Sequence, residues 1–356
     1  LRDIFFLFLY PQTLVDHGVY PEEYEHPDGR EAPTPNNWEE INKRLMQPRP
    51  SLSPSKFSDG AFKDFKKTNA HAFTEEDIMT SVIPIVSGST KSDRSVARDI
   101  KFGNLDPLTD GGLVSGQPDI FYGARPEQLD RRIRRELAGR IIPSTQEDVP
   151  MVPNFYLEAK GPDGSLAVAG RQACYDGALG ARGIHSLQSF GTSEPVYDNN
   201  AYTIASTYHG GTLKMYTTHP TESQNPHRQS DYHTNPLRGW LLTDSAESFR
   251  QGARAYRNAR DWAREQRNRL IQDANDKAQI MSMQTVSFET SNTSQVSIST
   301  IAAIPLESDT SADELALDEG AARNTSRKRA RRFPSRSTSR TKHGHEKDVT
   351  DPTQGY

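Results

Sequence analysis

The hexapeptide Phe155-Tyr156-Leu157-Glu158-Ala159-Lys160 constrains the fold more than any other stretch, because it reads as a buried strand carrying two opposite charges. Side chains at i and i+2 of a strand share a face. Tyr156, Glu158 and Lys160 therefore point one way, and Phe155, Leu157 and Ala159 the other. A second acid, in Gln117-Pro118-Asp119-Ile120, opens another apolar segment 39 positions before Glu158. Two acids on neighbouring strands can hold a hard divalent cation through oxygen ligands, and a lysine beside them can orient or deprotonate an attacking water. The plainer alternative is an ion pair between Glu158 and Lys160 on a solvated sheet face.

The order of segments around this pair resembles that of the PD-(D/E)xK nuclease superfamily, over roughly residues 60 to 270. The strings GQPDIFYGARPEQLDRRIRRELAG, VPNFYLEAKGPDGSLAVAGRQACYDGALGARG and IHSLQSFG are also similar to those of an uncharacterised fungal family within it. The resemblance implies an α/β fold with a restriction-endonuclease-like core: helix, three-stranded meander, helix, strand. Asp119 stands where that superfamily has its Asp, and Glu158 and Lys160 supply its Glu-x-Lys. By the same resemblance Asp119 and Glu158 bind Mg2+ or Mn2+, with the Ala159 carbonyl as a further ligand, and Lys160 assists the water. The separation of 39 residues exceeds a simple hairpin and implies an inserted helix, matched by a charged pattern over residues 127 to 138.

A helix is expected after Thr74, which can cap it with Asp77 three residues on. At 100° per residue Glu75 falls near the centre of its apolar face, where a carboxylate needs a partner. The superfamily's first core helix often contributes an acid that supports the metal, which makes Glu75 the candidate; the alternative is an acid favoured by the helix dipole alone. Asp110, in the turn Thr109-Asp110-Gly111-Gly112, is only a reserve for the first acid. A second helix is expected over residues 166 to 187, capped by Ser165, with Gln172, Tyr175, Asp176 and Leu179 along one side. Exonuclease-type relatives carry Gln and Tyr on this helix, so Gln172 would position the scissile phosphate or a metal-bound water; here two residues separate the pair, where the family usually has three. Arg171 and Arg182 are possible phosphate contacts.

Residues 201 to 218 alternate about His209-Gly210-Gly211, as in a hairpin. Residues 219 to 236 read as a polar loop, in which His219, His227 and His233 are ordinary loop residues, and residues 245 to 277 as a charged helix with Phe249, Ala253, Tyr256 and Ala263 as its apolar stripe. Three parts follow: a Pro-rich arm over residues 1–58, with one short helix near Trp38, a nuclease-like domain over 59–277, and a disordered Ser/Thr-rich tail over 278–356.

Lys and Arg number 43 against 47 Asp and Glu, a net charge of −4 that disfavours coating nucleic acid by charge alone. The single cysteine, Cys174, excludes an intrachain disulfide and a multi-cysteine zinc site, and reads as a small core residue. No apolar run is long enough to span a bilayer. Nucleophile elbow, glycine-rich phosphate loop, HExxH and dinucleotide fingerprints are all absent. Two functions remain: a metal-dependent nuclease, or a catalytically silent nuclear module that binds nucleic acid or acts as a scaffold on the same fold.

Arg327, Lys328, Arg329, Arg331 and Arg332 form a dense basic cluster in the tail, fit to engage the nuclear-import machinery. Replacing all five by Ala is expected to abolish nuclear accumulation of a tagged protein seen by fluorescence imaging. Unchanged enrichment would remove the import reading.

Overall fold

Strand β4 (Met151–Lys160) is buried along all ten residues, which requires neighbours on both edges and cover on both faces. On one edge it pairs antiparallel with β3 (Ile120–Ala124), itself antiparallel to the short edge strand β2 (Val96–Arg98). On the other edge it pairs parallel with β5 (Thr203–His209), reached through helix α7 (Leu166–Gln188). Strands β6 (Thr212–Glu222) and β7 (Ser230–Leu241) continue antiparallel, and β1 (Val19–Tyr20) closes the far edge parallel to β7. The result is a mixed α/β fold around a seven-stranded sheet in the order β1-β7-β6-β5-β4-β3-β2. This computed structural model describes residues 10–88, 94–146 and 148–293.

Helices cover both faces. Helices α2 (Trp38–Leu45), α3 (Asp59–Ala70), α4 (residues 75–87) and α8 (Ala246–Thr293) lie on the face of Phe155, Leu157 and Ala159, where Ile41, Phe65, Ile83, Phe249 and Tyr256 join one apolar cluster. Here α4 is the continuous run Glu75–Asp77, Ile78–Val82 and Ile83–Ser87. On the opposite face α7 and α1 (Tyr10–Asp16) bring Leu14, Val168, Tyr175 and Leu179 against Phe121, Tyr156 and Ala205. The expected alternation of β4 is thus present, and the apolar stripe of α8 packs into the same cluster as its Phe155 face. Local signals act as read: Ser165 accepts from Val168 N–H, Thr74 and Asp77 form a capping box, and Gly210 and Gly211, both at positive φ, turn β5 into β6.

Several expectations need correction. The N-terminal arm is built into the fold, since β1 extends the sheet and α2 packs on α8 and β7. Residues 219 to 236 are not a loop: β6 runs to Glu222, β7 begins at Ser230, and His219 faces His233 across the ladder. Both rings are buried, and burial first of all holds their pKa values down, to about 4 for His219 and about 3 for His233. The insertion after β3 is helical but broken into α5 (Arg131–Glu136) and α6 (Ala138–Ile141). Helix α8 continues past Lys277 to Thr293, with Ala278 buried, so order extends beyond the expected edge of the domain. The basic cluster at residues 327–332 lies outside the described residues.

Close docking of α7 on β4 rests on Gly180, where a Cβ would stand 2.5 Å from the Tyr156 hydroxyl and 2.9 Å from the Pro153 carbonyl. Gly170, on the same helix, has nothing within 4 Å of that position. Gly180→Ala should therefore destabilise the fold by about 1–3 kcal/mol through overpacking. Gly170→Ala should stabilise it by about 0.5–1 kcal/mol through helix propensity. Urea unfolding of both variants checks the contrast, and equal effects would refute the close docking.

Candidate active site

The β3–β4 register sets the site. Ile120 pairs with Leu157, so Asp119, one residue before β3, falls opposite Glu158, and its Oδ2 accepts a 2.6 Å hydrogen bond from Ala159 N–H. The long insertion therefore leaves the pairing of these two segments intact. Lys160 Nζ lies 3.3 Å from Glu75 Oε2 and 3.7 Å from Glu158 Oε2. Glu75 arrives because the start of α4 rests on Gly161, where a Cβ would stand 3.0 Å from Glu75 N. Glu75 is not at the centre of a buried face, as helical periodicity implied, but has a side chain 45% exposed. The π-turn over Ile78–Val82 changes the residues per turn, so a constant 100° misplaces the first turn of α4.

Glu158 is 1% exposed, and among the described residues no N–H or hydroxyl group donates to its carboxylate oxygens, which face the Asp176 carboxyl group. Burial, followed by the negative charges of Asp176 and Asp119, pushes its pKa well above the ordinary range against the opposing pull of Lys160. Asp119 is raised to about 6, chiefly by burial, with Lys160 and the Ala159 N–H opposing and Glu75 adding to the rise. For Lys160 burial acts downward, yet Glu158, Asp119 and Glu75 together hold the ammonium above its usual pKa.

Asp176 is the member that the sequence did not single out. It is 2% exposed on α7 and acts directly on Glu158. The available signal was its position one turn after Gln172 on the same side of the helix. Gln172 itself is half-buried with Oε1 shielded and lacking a donor, and among the described residues no hydrogen bond ties it to the acids. The Ala159 side chain lies in the core on the other face of the sheet. Arg182 is no phosphate contact: it is buried and donates to the Asp106 and Pro107 carbonyls. Asp110 caps its own turn through Gly112 N–H. Cys174 is buried, and burial first raises its thiol to about 11, as suits a core residue.

An oxygen-only set containing a buried carboxylate with two donorless oxygens suits a hard divalent cation. Among the described residues no three His, Cys, Asp or Glu side chains already form a metal cage. Each acid instead leans on its own neighbour: Asp119 on Ala159 N–H, Glu75 on Lys160, and Glu158 on Asp176 and Lys160.

The chain belongs to the family described as Domain of unknown function (DUF7924), whose model matches residues 67–275. No curated protein and no solved structure matches it. The matched span contains Glu75, Asp119, Glu158, Lys160, Gln172 and Asp176.

The raised carboxyl groups fix the sign of the pH dependence. A folded-state pKa above the unfolded value gives stability that is present at low pH and lost as pH rises through the folded pKa. For Asp119 that window runs from about pH 4 to about pH 6. Without divalent cations, wild-type stability should fall across this window, and Asp119→Asn should flatten the fall. Glu158→Gln should raise stability at neutral pH, because the amide removes a charge that burial disfavours. Thermal melts in EDTA between pH 4 and 8 measure both, and a Glu158→Gln variant less stable than wild type at pH 7 would contradict the assignment.

Proposed function

We propose that the protein is a metal-dependent nuclease-like hydrolase that cleaves phosphodiester bonds of nucleic acid. The observation that carries this reading is the meeting of Asp119, Glu158 and Lys160 at one end of the β3–β4 pair, with Glu75 beside them. The chain order of α4, β2, β3, β4, α7 and β5 supports a restriction-endonuclease-like core.

Asp119 and Glu158, with the Ala159 carbonyl, would hold Mg2+ or Mn2+, which when bound supplies Lewis acidity at the scissile phosphate. Neutralising these acids is the first requirement, because one ammonium faces three carboxyl groups, Glu158, Asp119 and Glu75. Lys160 keeps its proton at neutral pH and so acts as a donor that orients the attacking water and as a positive charge near the pentavalent transition state. Glu75 holds that ammonium in place. Asp176 adds negative charge beside Glu158 from the helix side, which a bound cation would relieve, and Gln172, one turn away, would offer its unsatisfied amide oxygen to a ligand water. A basic tail that directs the protein to the nucleus would bring it to its substrate.

The depth of Glu158 favours one competing reading, a catalytically silent module on the same fold that serves in nucleic-acid binding or as a nuclear scaffold. Purified protein should separate the two. The enzyme should cut at least one of single- or double-stranded DNA or RNA with Mg2+ or Mn2+, Glu158→Gln should abolish cleavage, and Lys160→Ala should slow it about a hundredfold or more. Millimolar Mn2+ should also raise the melting temperature of wild type and of Lys160→Ala but not of Glu158→Gln. A wild type that neither responds to metal nor cuts any of the four substrates would leave the silent module.

A further inference from the structure

At the far end of β3 the chain gathers a second charged site, of opposite sign. Arg94, Arg125, Arg264 and Arg267, with the amides of Gln128 and Asn268, line a cavity of about 390 Å³ whose lining contains no carboxylate. Arg267 is 1% exposed and rigidly based, donating to Asn154 Oδ1 at 2.5 Å and to the Tyr122 carbonyl at 3.3 Å. Asn154 is in turn tied to the Tyr202 and Ala263 carbonyls. Among the described residues Arg125 and Arg264 reach carboxylates only outside the cavity, Glu127 at 3.3 Å and Asp261 at 3.7 Å, with side chains about half exposed. Such exposed pairs are worth little and yield readily to a phosphate.

The edge strand connects this cavity to the acid cluster. The Ser95 carbonyl accepts from Gly123 N–H at the cavity end, and Asp99 N–H donates to the Asp119 carbonyl at the other. Arg98 is exposed between them on β2. Asp119 and Arg125 are six residues apart in extended chain, roughly 20 Å at about 3.3 Å per residue. That span corresponds to about six nucleotides at about 3.4 Å per phosphate along a stacked strand.

We propose that the arginine cavity is an anchoring site for a backbone phosphate of nucleic acid, about six nucleotides from the acid cluster along the β2 edge. The proposal rests on the nuclease reading for its choice of ligand. It also resolves the difficulty of a chain with net negative charge handling a polyanion, because the positive charge is concentrated where the strand enters. The insertion between β3 and β4 thereby has a task, since it supplies Arg125 and Gln128 and, on α5, the exposed Arg131 and Arg135.

Binding of labelled 12-nucleotide and 4-nucleotide strands, measured by fluorescence anisotropy in EDTA, tests this apart from catalysis. Arg125→Ala and Arg264→Ala should each weaken 12-mer binding several-fold and lower the slope of log K against log salt by about one. They should leave the 4-mer nearly unchanged, because a strand too short to span both sites loses little from either. Arg30→Ala, an exposed arginine outside the cavity, should alter neither. Loss of affinity equal for both lengths, an equal effect of Arg30→Ala, or no effect of the cavity variants would overturn the proposal. So would variants that lose binding only to inorganic phosphate or to phosphatidylserine vesicles. Cleavage that persists with unchanged 12-mer affinity in the variants would sink the anchor and leave the nuclease. Length-dependent binding that needs the arginines, in a protein that cuts nothing, would sink the nuclease and leave the anchor.

Discussion

Burial of β4 on both faces and both edges is the condition on which the other elements depend. A strand so enclosed must be apolar or have its polar groups satisfied by the layers around it. Phe155, Leu157 and Ala159 meet this on the α8 side, but Glu158 sits on the α7 side with no donor for its oxygens. The sheet, the glycine contact with Tyr156 and the register with β3 all act to keep that carboxyl group in the interior. Its raised pKa follows from this enclosure more than from any single neighbour.

Much of this was legible from the residues. Thr74, Ser165 and the Gly210-Gly211 pair mark boundaries through chemistry local to a turn or a cap, so a sequence window contains all the information. The alternation in residues 155 to 160 placed Glu158 and Lys160 on one face without reference to any partner. What failed depends on distant packing. His219, His233 and Thr234 look like loop residues, yet with Thr218 they fill the interior of a polar β6–β7 ladder, where burial is decided by elements far along the chain. Prolines in the arm disguise a segment that is fixed by contacts with β7 and α8. Asp176 sits among small and apolar neighbours, Ala173 to Tyr175 and Gly177 to Leu179, but only the tertiary fold sets α7 over Glu158.

The two charged clusters occupy opposite ends of β3, acids near Asp119 and guanidinium groups near Arg125. Formal net charge averages this separation away. A polyanion approaching the sheet edge meets attraction at one end and repulsion at the other, so its orientation along β2 is biased before any specific contact forms.

The far edge of the sheet has a different consequence. Strand β1 covers only Tyr232 and His233 of β7, while the rest of that strand is shielded by Pro236, which lacks an N–H, and by α2 and the segment before it. Trp38 donates to the Pro236 carbonyl, Asn235 to that of Pro33, and Arg238 to Asn42 Oδ1. The covering partners outside β7, Pro33, Trp38 and Asn42, all precede residue 67, where the family match begins. A polypeptide trimmed to the matched span would lose this cover together with the core residues that α2 supplies, and would leave β7 open to edge-to-edge pairing on either side of Pro236.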